Sequence, residues 1–503
     1  MSIVREIFRA CTAGTSSGEL SAHTVSLYHL SPYSIYCEKF VPSERRDLRG
    51  PYRELLLERG IEHETHVRAV RYPGFQSLAY RDEKEGFLRL LEEMSGGAEA
   101  ICGLPLMYLP EDLKGIIDVL EKRHSKTSRF GGYHYVVKEI KLATHIEEHH
   151  ILQAAFYTYV LSKIQGCLPD CFFIIDGNLE EKEYRYEDYE PRLQEAIAGT
   201  RRILESREQP TPTYNGAPWP WATYTNHRAL RLRDISLVSG VGPRMKQKLA
   251  ARGFRKIWDL SSAAPESLHG IPGLGRTTAE KLIVNARAIH KGKRILLDRS
   301  ALGFKESSTE LFLDLEGTDP SGEAEGLEPV DYLIGLVIAE GGSICYRPFL
   351  AWRIDEERRM FHEFIDFTAN LEEFVIYHWH HYERTHLKKL AERHGFSAVV
   401  SEKIIPRMVD LHRVATQAFA FPTPGNGLKD IAKHLGFRWR HEDVNALDAI
   451  AWYLRFQKDP DTWRIKLSAV IDYNEDDCMA TKFVKDWLAS RSESAVENEG
   501  SDG

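Results

Sequence analysis

Three charged residues lie inside apolar stretches in the first third of the sequence. Asp118 lies in Gly-Ile-Ile-Asp-Val-Leu, residues 115–120, and Glu139 and Lys141 lie in residues 135–142. Glu139 and Lys141 are two positions apart on a predicted strand, so they point to the same face. Burying such charges costs free energy unless they pair or hold a metal. Two carboxylates and an ammonium suit Mg²⁺ or Mn²⁺ and a polarised water facing a phosphate.

The elements that must position these charges follow from the surrounding residues. Residues 122–132 have the composition of a turn, which predicts a hairpin of two strands. A helix over residues 50–70 carries His63, whose neutral imidazole would suit Mn²⁺ as a third ligand. A helix over residues 145–161 carries Gln153 and Tyr157, four positions apart and therefore on one face. The alternative is a structural ion-pair network.

The order of these residues resembles the RecB-type PD-(D/E)xK nuclease family, which includes the Cas4-like nucleases. The resemblance covers residues 23–210 and implies a restriction-endonuclease-like αβ core. It implies that His63, Asp118 and Glu139 hold the metal, and that Lys141 orients the attacking water or stabilises the transition state. Gln153 and Tyr157 would then support the site or contact the DNA strand.

Cysteine positions bear on a cofactor that many relatives of this kind carry. Their iron–sulfur cluster uses one Cys before the nuclease core and three after it. Cys37 could be the first of these, but residues 214–221 contain no Cys, and Cys167 and Cys171 come too early. Fewer than four thiolates cannot complete an ordinary cluster, so we expect none. The alternative is another metal held by these three cysteines and a further ligand.

A strongly basic segment follows in an otherwise acidic chain. Residues 228–294 hold 15 Lys and Arg against 4 Asp and Glu, a local net charge of +11, whereas the whole chain carries −8. This asymmetry indicates a surface for a polyanion. Two hydrophobic-x-Gly-hydrophobic-Gly motifs occur there 33 residues apart, at Gly240 and Gly242 and at Gly273 and Gly275.

The paired glycine motifs predict phosphate-binding turns. Glycine permits the tight turn, and the N–H groups at the start of the next helix can bind a phosphate. The repeat resembles a double helix-hairpin-helix domain, an all-α unit that grips the nucleic-acid backbone without reading bases. We predict this domain over residues 228–296. The side chains expected to contact DNA are Arg244, Lys246, Lys248 and Arg276. The alternative is a pair of packing units without a ligand.

A second acidic set occupies the carboxyl-terminal third. Asp314 and Glu316 alternate on a strand over residues 309–316, so they share one face, and two like charges held that close need a cation. Glu383 follows a strand that runs into a helix. Tyr473 and Asp477 are four apart and share the face of a helix that we expect to open near them.

Asp-x-Glu, a carboxylate after an aromatic residue, and Tyr-x-x-x-Asp resemble the tyrosine-bearing DEDD exonucleases of the ribonuclease H-like α/β fold. The resemblance covers residues 305–490. The ligands of two metals that it implies are Asp314, Glu316, Glu383 and Asp477. Tyr473 would position the attacking water. The middle motif of that family, Asn-x-x-x-Phe-Asp, is replaced here by His378-x-x-x-Tyr382-Glu383. Glu has a longer side chain than Asp, which puts the metal geometry at this position in question. A domain kept for packing or binding is the alternative. His378, His380 and His381 could also indicate a zinc site, although we expect these three histidines to lie on the surface.

Length and composition set the remaining expectations. A chain of 503 residues is expected to form two to four domains. It has no apolar run of membrane-spanning length and no signal pattern, so we expect a cytoplasmic protein without a membrane partner. We expect a flexible amino terminus over residues 1–22, a linker over 211–227, and a disordered acidic tail over 491–503.

The order of the three predicted domains resembles the TM0106-type family of RecB-like nucleases over nearly the full chain. A multidomain α/β nuclease is therefore expected, dependent on Mg²⁺ or Mn²⁺ and acting on single-stranded DNA, duplex ends or flaps in repair or recombination. The alternatives are a DNA-binding scaffold with decayed sites and an RNA-processing exonuclease. The sequence has no phosphate-loop motif of helicases, so unwinding would need a separate helicase.

Overall fold

The computed structural model describes residues 3–14, 20–73, 79–305, 307–318, 329–441 and 444–493. It divides into two compact units, the first of residues 1–49 and 53–228 and the second of residues 50–52 and 229–503. Among the described residues, none of the helices combines the length and apolar character that a membrane span requires.

Helices and strands are mixed along the first 231 residues. The helices are α1 (Ile3–Cys11), α2 (Ala22–Leu30), α3 (Pro32–Phe40), α4 (Pro51–Arg71), α5 (Glu83–Gly96), α6 (Glu148–Gln165), α7 (Tyr186–Ser206) and α8 (Ala222–Arg231). The strands are β1 (Ala100–Cys102), β2 (Pro105–Tyr108), β3 (Leu113–Ile116), β4 (Val119–Arg123), β5 (His134–Ile140), β6 (Cys171–Ile175) and β7 (Glu181–Arg185).

The central sheet of the first unit has the order β1-β4-β5-β6-β7. β5 and β6 run parallel, and the other neighbours in the sheet are antiparallel. A parallel pair needs a crossover, which α6 supplies between β5 and β6. β5 is buried along its whole length, so its apolar residues face the core while Glu139 is carried into the interior near its end.

The predicted hairpin is present as the antiparallel pair β4 and β5, but its first strand begins at Val119, four residues later than expected. β3 pairs with β2 in a separate two-stranded sheet, whereas β4 joins the central sheet. The chain must change sheets between Ile116 and Val119. Asp118 therefore lies at this break and not within a continuous strand, so the interpretation of residues 115–120 as one strand is wrong.

Three segments expected to be irregular contain helical residues. Val4, Ile7 and Cys11 recur on one face of α1 and are buried in the main core, so a flexible amino terminus is wrong for residues 3–11. The end of the predicted linker is also structured, because Trp221 is fully buried immediately before α8. Residues 491–493 continue the last helix, and the remainder of the predicted tail lies outside the described residues.

The second unit begins with helices and continues into a mixed sheet. Its helices after α8 are α9 (Pro243–Ala250), α10 (Ile257–Ser261), α11 (Arg276–Lys291), α12 (Glu357–Ala369), α13 (Tyr382–His394), α14 (Ser397–Val399), α15 (Leu411–Ala418), α16 (Leu428–Leu435), α17 (Ala446–Lys458) and α18 (Pro460–Glu493). Its strands are β8 (Ile295–Leu296), β9 (Thr309–Gly317), β10 (Asp331–Glu340), β11 (Ser343–Leu350), β12 (Phe374–His378), β13 (Met408–Asp410) and β14 (Phe419–Ala420).

The sheet of the second unit has the order β11-β10-β9-β12-β13. β9, β10 and β11 are antiparallel, and β12 runs parallel to both β9 and β13. α18 packs against β9 and β10. Tyr473 and Asp477 lie in the middle of α18, so the expected helix start near them is wrong. Asp459 caps the first turn and Pro460 opens it, two start signals that lie upstream.

The helices α9 to α11 are joined to the sheet domain by backbone pairing. β8 follows α11 after only a few residues and pairs with β14 in an antiparallel two-stranded sheet. The Leu297 N–H also donates to the Ala418 carbonyl at 2.8 Å. The Arg294 guanidinium lies 5.1 Å from the ring centre of Trp487 on α18, which is a cation–π distance.

Candidate functional site

A cavity of about 400 Å³ in the first unit collects the predicted amino-terminal site residues. Its walls come from α4, the break between β3 and β4, the end of β5, and α6. The predicted residues that line this amino-terminal cavity are His63, Asp118, Glu139, Lys141, Gln153 and Tyr157. Side chains from four separate elements therefore meet in one place.

Hydrogen bonds fix the charged groups of the amino-terminal cavity. Asp118 Oδ2 accepts from the Ile140 N–H at 2.7 Å, which ties the strand break to β5. Lys141 Nζ donates to Glu139 Oε2 at 3.0 Å and to Gln153 Oε1 at 2.7 Å. Glu139 thus has a cation in direct contact, supplied two residues away on the same chain segment.

Two buried ligand atoms in this cavity have no hydrogen-bond partner among the described residues: Glu139 Oε1 and His63 Nε2. Burial, and then the Asp118 charge, raise the pKa of Glu139 to about 7 despite the opposing effect of Lys141. Burial lowers the pKa of His63, which favours the neutral imidazole that coordinates metals. Unsatisfied oxygen and imidazole donors in one cavity fit a divalent cation such as Mn²⁺.

Glu64 is a further acidic residue of the amino-terminal cavity that sequence reasoning missed. Burial, and then the nearby Asp118 charge, raise the pKa of its carboxyl. Arg68 pairs with Glu64 one helical turn away and also donates to the Asp118 carbonyl at 3.3 Å. The signal available in the sequence was the Glu64–Arg68 spacing of four on a helix that already carried His63.

Tyr157 closes one side of the amino-terminal cavity by packing over Gly115. A Cβ at Gly115 would lie 2.6 Å from Tyr157 Cε1, so only glycine leaves room for this ring. Burial, and then the Glu139 charge, raise the pKa of Tyr157, which keeps its hydroxyl neutral. Tyr157 can therefore act as a hydrogen-bond donor at the edge of the cavity.

Cys37 is packed as an apolar residue. It is fully buried on α3 in a cluster with Tyr33 and Trp221, and burial raises the pKa of its thiol to about 12. Cys171 lies on β6, and Cys167 precedes that strand. The thiolate is the metal-binding form, so the surroundings of Cys37 disfavour its use as a ligand.

In the second unit, three predicted carboxylates form what we call the carboxylate cluster: Asp314, Glu316 and Asp477. One oxygen from each lies within 4.8 Å of the others. Asp314 and Glu316 project from the same face of the central strand β9, as their spacing predicts, and Asp477 projects from α18. Residues more than 150 positions apart in sequence are thus brought into one ligand group.

Burial dominates the electrostatics of the carboxylate cluster, and repulsion by Asp477 adds to it at Asp314 and Glu316. Burial, and then the Asp477 charge, raise the pKa of Glu316 to about 8. Burial raises the pKa of Asp477 to about 6, and burial followed by Asp477 raises the pKa of Asp314 well above its usual range. Clustered oxygen donors that repel one another fit a hard divalent cation such as Mg²⁺ or Mn²⁺.

A hydrogen-bonded chain positions Asp314. Asn474 Nδ2 donates to Asp314 Oδ2 at 2.7 Å, and the Tyr346 hydroxyl donates to Asn474 Oδ1 at 2.8 Å. A Cβ at Gly335 would lie 1.7 Å from Asn474 Oδ1, so glycine is required opposite Asp314 on β10. Sequence reasoning missed these hydrogen bonds and the required glycine, because the residues come from β10, β11 and α18.

Two aromatic residues contact Asp477. Trp439 Nε1 donates to Asp477 Oδ1 at 2.6 Å, and the Tyr473 hydroxyl faces the same carboxylate. Burial, and then the Asp477 charge, raise the pKa of Tyr473, so its hydroxyl stays protonated. Lys429 Nζ lies 4.4 Å from the centre of the Tyr473 ring. Trp439 and Lys429 were not among the predicted site residues.

Glu383 is buried near the carboxylate cluster but lies outside this group of three. Its Oε2 lies 3.5 Å from His378 Nδ1, and its charge still raises the pKa values of Asp314 and Glu316. His378 is only 2% exposed, so its interpretation as a surface histidine is wrong, because it ends a buried strand beside Glu383. His380 and His381 are exposed.

The hairpin turns of the basic segment have the backbone that their glycines predict. Gly240 and Gly273 adopt positive φ angles of 90° and 81°. Gly242 and Gly275 precede α9 and α11 as N-cap residues, with no neighbouring atom within 4 Å of a Cβ placed there. Both helix starts are therefore open to a phosphate group.

The basic side chains of these turns divide into exposed and buried groups. Arg244 and Lys248 are exposed on α9, and Arg276 is exposed on α11. Lys246 is buried and pairs with Asp234 at 2.9 Å. Its prediction as a DNA contact is wrong, because Lys246 lies on the core face of α9 with Leu249.

Comparisons with known proteins match two segments of the chain. Residues 311–489 match the family model of the RNase_H superfamily, and residues 232–288 match that of the SAM-like Helix-hairpin-helix tandem. No curated protein and no solved structure matches the chain. The predicted ribonuclease H-like and helix-hairpin-helix domains are thereby confirmed, and together they fit a nuclease. The PD-(D/E)xK assignment of the first unit stays a prediction.

Proposed function

We propose that the chain is a divalent-metal-dependent nuclease that hydrolyses DNA phosphodiester bonds at the carboxylate cluster. The observation that carries the proposal is the approach of Asp314, Glu316 and Asp477 to within 4.8 Å inside a segment that matches the RNase_H superfamily. A divalent cation held there would polarise the phosphate and activate water.

The chain's own residues have separate tasks in this proposal. The three carboxylates hold the cation, and Asn474 fixes the orientation of Asp314. The Tyr473 hydroxyl, beside Asp477, orients the attacking water. The exposed helix starts after Gly242 and Gly275 bind backbone phosphates, which would supply the strand to the same unit.

The amino-terminal cavity is proposed as a second nuclease site of the PD-(D/E)xK type. The β5–α6–β6 crossover, the six predicted residues in one cavity, and the unsatisfied Glu139 and His63 atoms support this proposal. Two such sites would suit trimming of single strands, duplex ends or flaps in repair or recombination, with a separate helicase, as the likeness to the TM0106-type nucleases implies.

The test is a Mn²⁺ cleavage assay on end-labelled single-stranded, duplex and flap DNA, with each site disabled in turn. Asp314→Ala with Asp477→Ala disables the cluster, and Asp118→Ala with Lys141→Ala disables the amino-terminal cavity. Asp461→Ala is the matched control, because Asp461 is an exposed acid on the same helix as Asp477. We expect the cluster variant to lose the cleavage that the carboxylate cluster carries out, while DNA binding persists. Unchanged cleavage would reject the cluster as a catalyst.

A DNA-binding scaffold is the second candidate function, and one observation favours it. Glu383 lies toward His378 and outside the cluster, so the expected set of four ligands is not gathered. A scaffold would bind DNA with strong salt dependence and cleave no substrate geometry in Mn²⁺. Matched RNA strands in the same assay would identify an RNA exonuclease.

A further inference from the structure

Lys429 is a cation placed beside the carboxylate cluster by an element that contributes no carboxylate to it. It lies on the first turn of α16, which packs against α18. Its Nζ lies 4.4 Å from the ring centre of Tyr473 and 5.9 Å from that of Trp439. These are the two aromatic residues that face Asp477, so Lys429 stands in the immediate surroundings of a cluster carboxylate.

The charges around Lys429 are unbalanced. Asp314, Glu316 and Asp477 all attract its ammonium electrostatically. Its Nζ is held by the two rings and by the Val444 carbonyl, to which it donates at 3.4 Å, close to the limit of a hydrogen bond. A lysine head on a flexible four-carbon stem, held this weakly, can change partners at small cost.

We propose that Lys429 is the internal counter-ion of the carboxylate cluster and, in the loaded site, the cation that binds the substrate phosphate. This inference rests on the proposed function of the cluster. In the free protein the ammonium offsets part of the carboxylate repulsion and opposes entry of a divalent cation. Once the carboxylates are neutralised, the same ammonium is available to a phosphate oxygen of the bound strand.

The two roles predict opposite effects of removing the charge. Lys429→Met keeps much of the side-chain volume but removes the competing cation, so Mn²⁺ should bind more tightly. The same substitution removes a phosphate contact, so cleavage should become weaker. A residue that merely supported the fold would worsen metal binding and cleavage together. Lys429→Arg keeps the charge and should stay close to the wild type in both measurements.

The experiment uses the full chain with Asp118→Asn, which weakens metal binding at the amino-terminal cavity. Calorimetric titration with Mn²⁺ measures binding to the cluster, and cleavage of a labelled strand is measured at saturating Mn²⁺. Lys433→Met is the matched control, because Lys433 lies one turn along α16, is exposed, and is also 5.9 Å from the Trp439 ring. We expect Lys429→Met to lower the Mn²⁺ dissociation constant about tenfold and to raise the KM for the strand about tenfold, with Lys433→Met within about twofold of the parent.

Weaker Mn²⁺ binding in Lys429→Met, unchanged binding, or an equal effect of Lys433→Met would each overturn the inference, as would a parent protein whose cluster binds no Mn²⁺. If Mn²⁺ binds more tightly in Lys429→Met but no protein cleaves any strand, the counter-ion role holds, the phosphate-binding role fails, and the proposed nuclease function fails with it. Calorimetry thus separates the two failures.

Discussion

The two acidic sites of this chain balance their charge in different ways. In the amino-terminal cavity, Lys141 contacts Glu139 at 3.0 Å, and Arg68 pairs with Glu64. In the carboxylate cluster, the Lys429 ammonium lies over the Tyr473 ring and is attracted by three carboxylates. The first site carries its cations within ion-pair distance, whereas the second leaves most of its negative charge to be neutralised from outside the chain. The carboxylate cluster should therefore depend more strongly on a divalent ion.

The largest effect is expected on cleavage when one cluster carboxylate is neutralised. Glu316→Gln should reduce cleavage by the carboxylate cluster about 10³-fold, because a metal ligand that supplies several kcal/mol of transition-state stabilisation is lost. Rates on a labelled strand, in a protein with Asp118→Ala, give the measurement. Asp461→Asn is the control, and a similar loss in that variant would contradict a specific role for Glu316.

Folding stability without metal should change in opposite directions at the two sites. At pH 7–8, Glu316→Gln removes a carboxyl whose ionisation is opposed in the folded state by burial and by Asp477, and it should raise the free energy of unfolding by about 2–4 kcal/mol. Lys141→Met leaves Glu139 buried without its cation and should lower that free energy by about 3 kcal/mol. Urea unfolding in EDTA measures both. A destabilised Glu316→Gln protein would show that the cluster is not repulsive.

Two glycines allow a matched test of how precisely each site is shaped. Gly335→Ala would displace Asn474 and with it Asp314, and should reduce cleavage at the carboxylate cluster about 10–100-fold. Gly115→Ala would displace Tyr157 and should reduce only the activity of the amino-terminal cavity. Gly303→Ala, whose added Cβ would make only an ordinary 3.8 Å contact with the Ser300 carbonyl oxygen, and Gly132→Ala, whose added Cβ would meet open space, serve as controls. Equal losses in the controls would assign the effect to the backbone.

The smallest expected effect is on the pH dependence of stability. The pKa of Glu316 is raised to about 8 in the folded chain, so the folded state holds a proton that the unfolded state has released between about pH 4.5 and 8. Stability from this group is complete below pH 4.5 and is lost as pH rises through 8. From pH 6 to 8, wild type without metal should lose about 2 kcal/mol more than Glu316→Gln. Parallel curves for the two proteins would contradict this, and saturating Mn²⁺ should remove the difference.

Local spacing predicted those parts of each site that come from one element. Asp314 and Glu316 share a face because side chains alternate along a strand. Glu139 and Lys141 are also two residues apart, so they enter the same cavity. The alternation within β9 needs no knowledge of the partner strands. The ribonuclease H-like and helix-hairpin-helix domains were predictable because their motifs are short and ordered along the chain.

The remaining site residues depend on packing between distant segments. Nothing near Lys429 in the sequence indicates that α16 lies against α18, and nothing near Gly335 indicates Asn474. The prediction for Lys246 is wrong because charge composition does not show which face of a helix a residue occupies, and Lys246 shares the core face of its helix with Leu249. The apolar run around Asp118 predicts one strand, because such a run does not reveal where a chain changes sheets.

The short pairing of β8 with β14 has a consequence for how a nucleic acid is handled. A long flexible linker after α11 would let the hairpin helices reorient, and cleavage would then give fragments of varied length. Only residues 292–294 separate α11 from β8, and β8 is bonded to the chain segment before α16. This pairing ties the helix-hairpin-helix segment to the sheet domain. A nucleic-acid backbone bound at the hairpins would therefore lie at a fixed distance from the sheet.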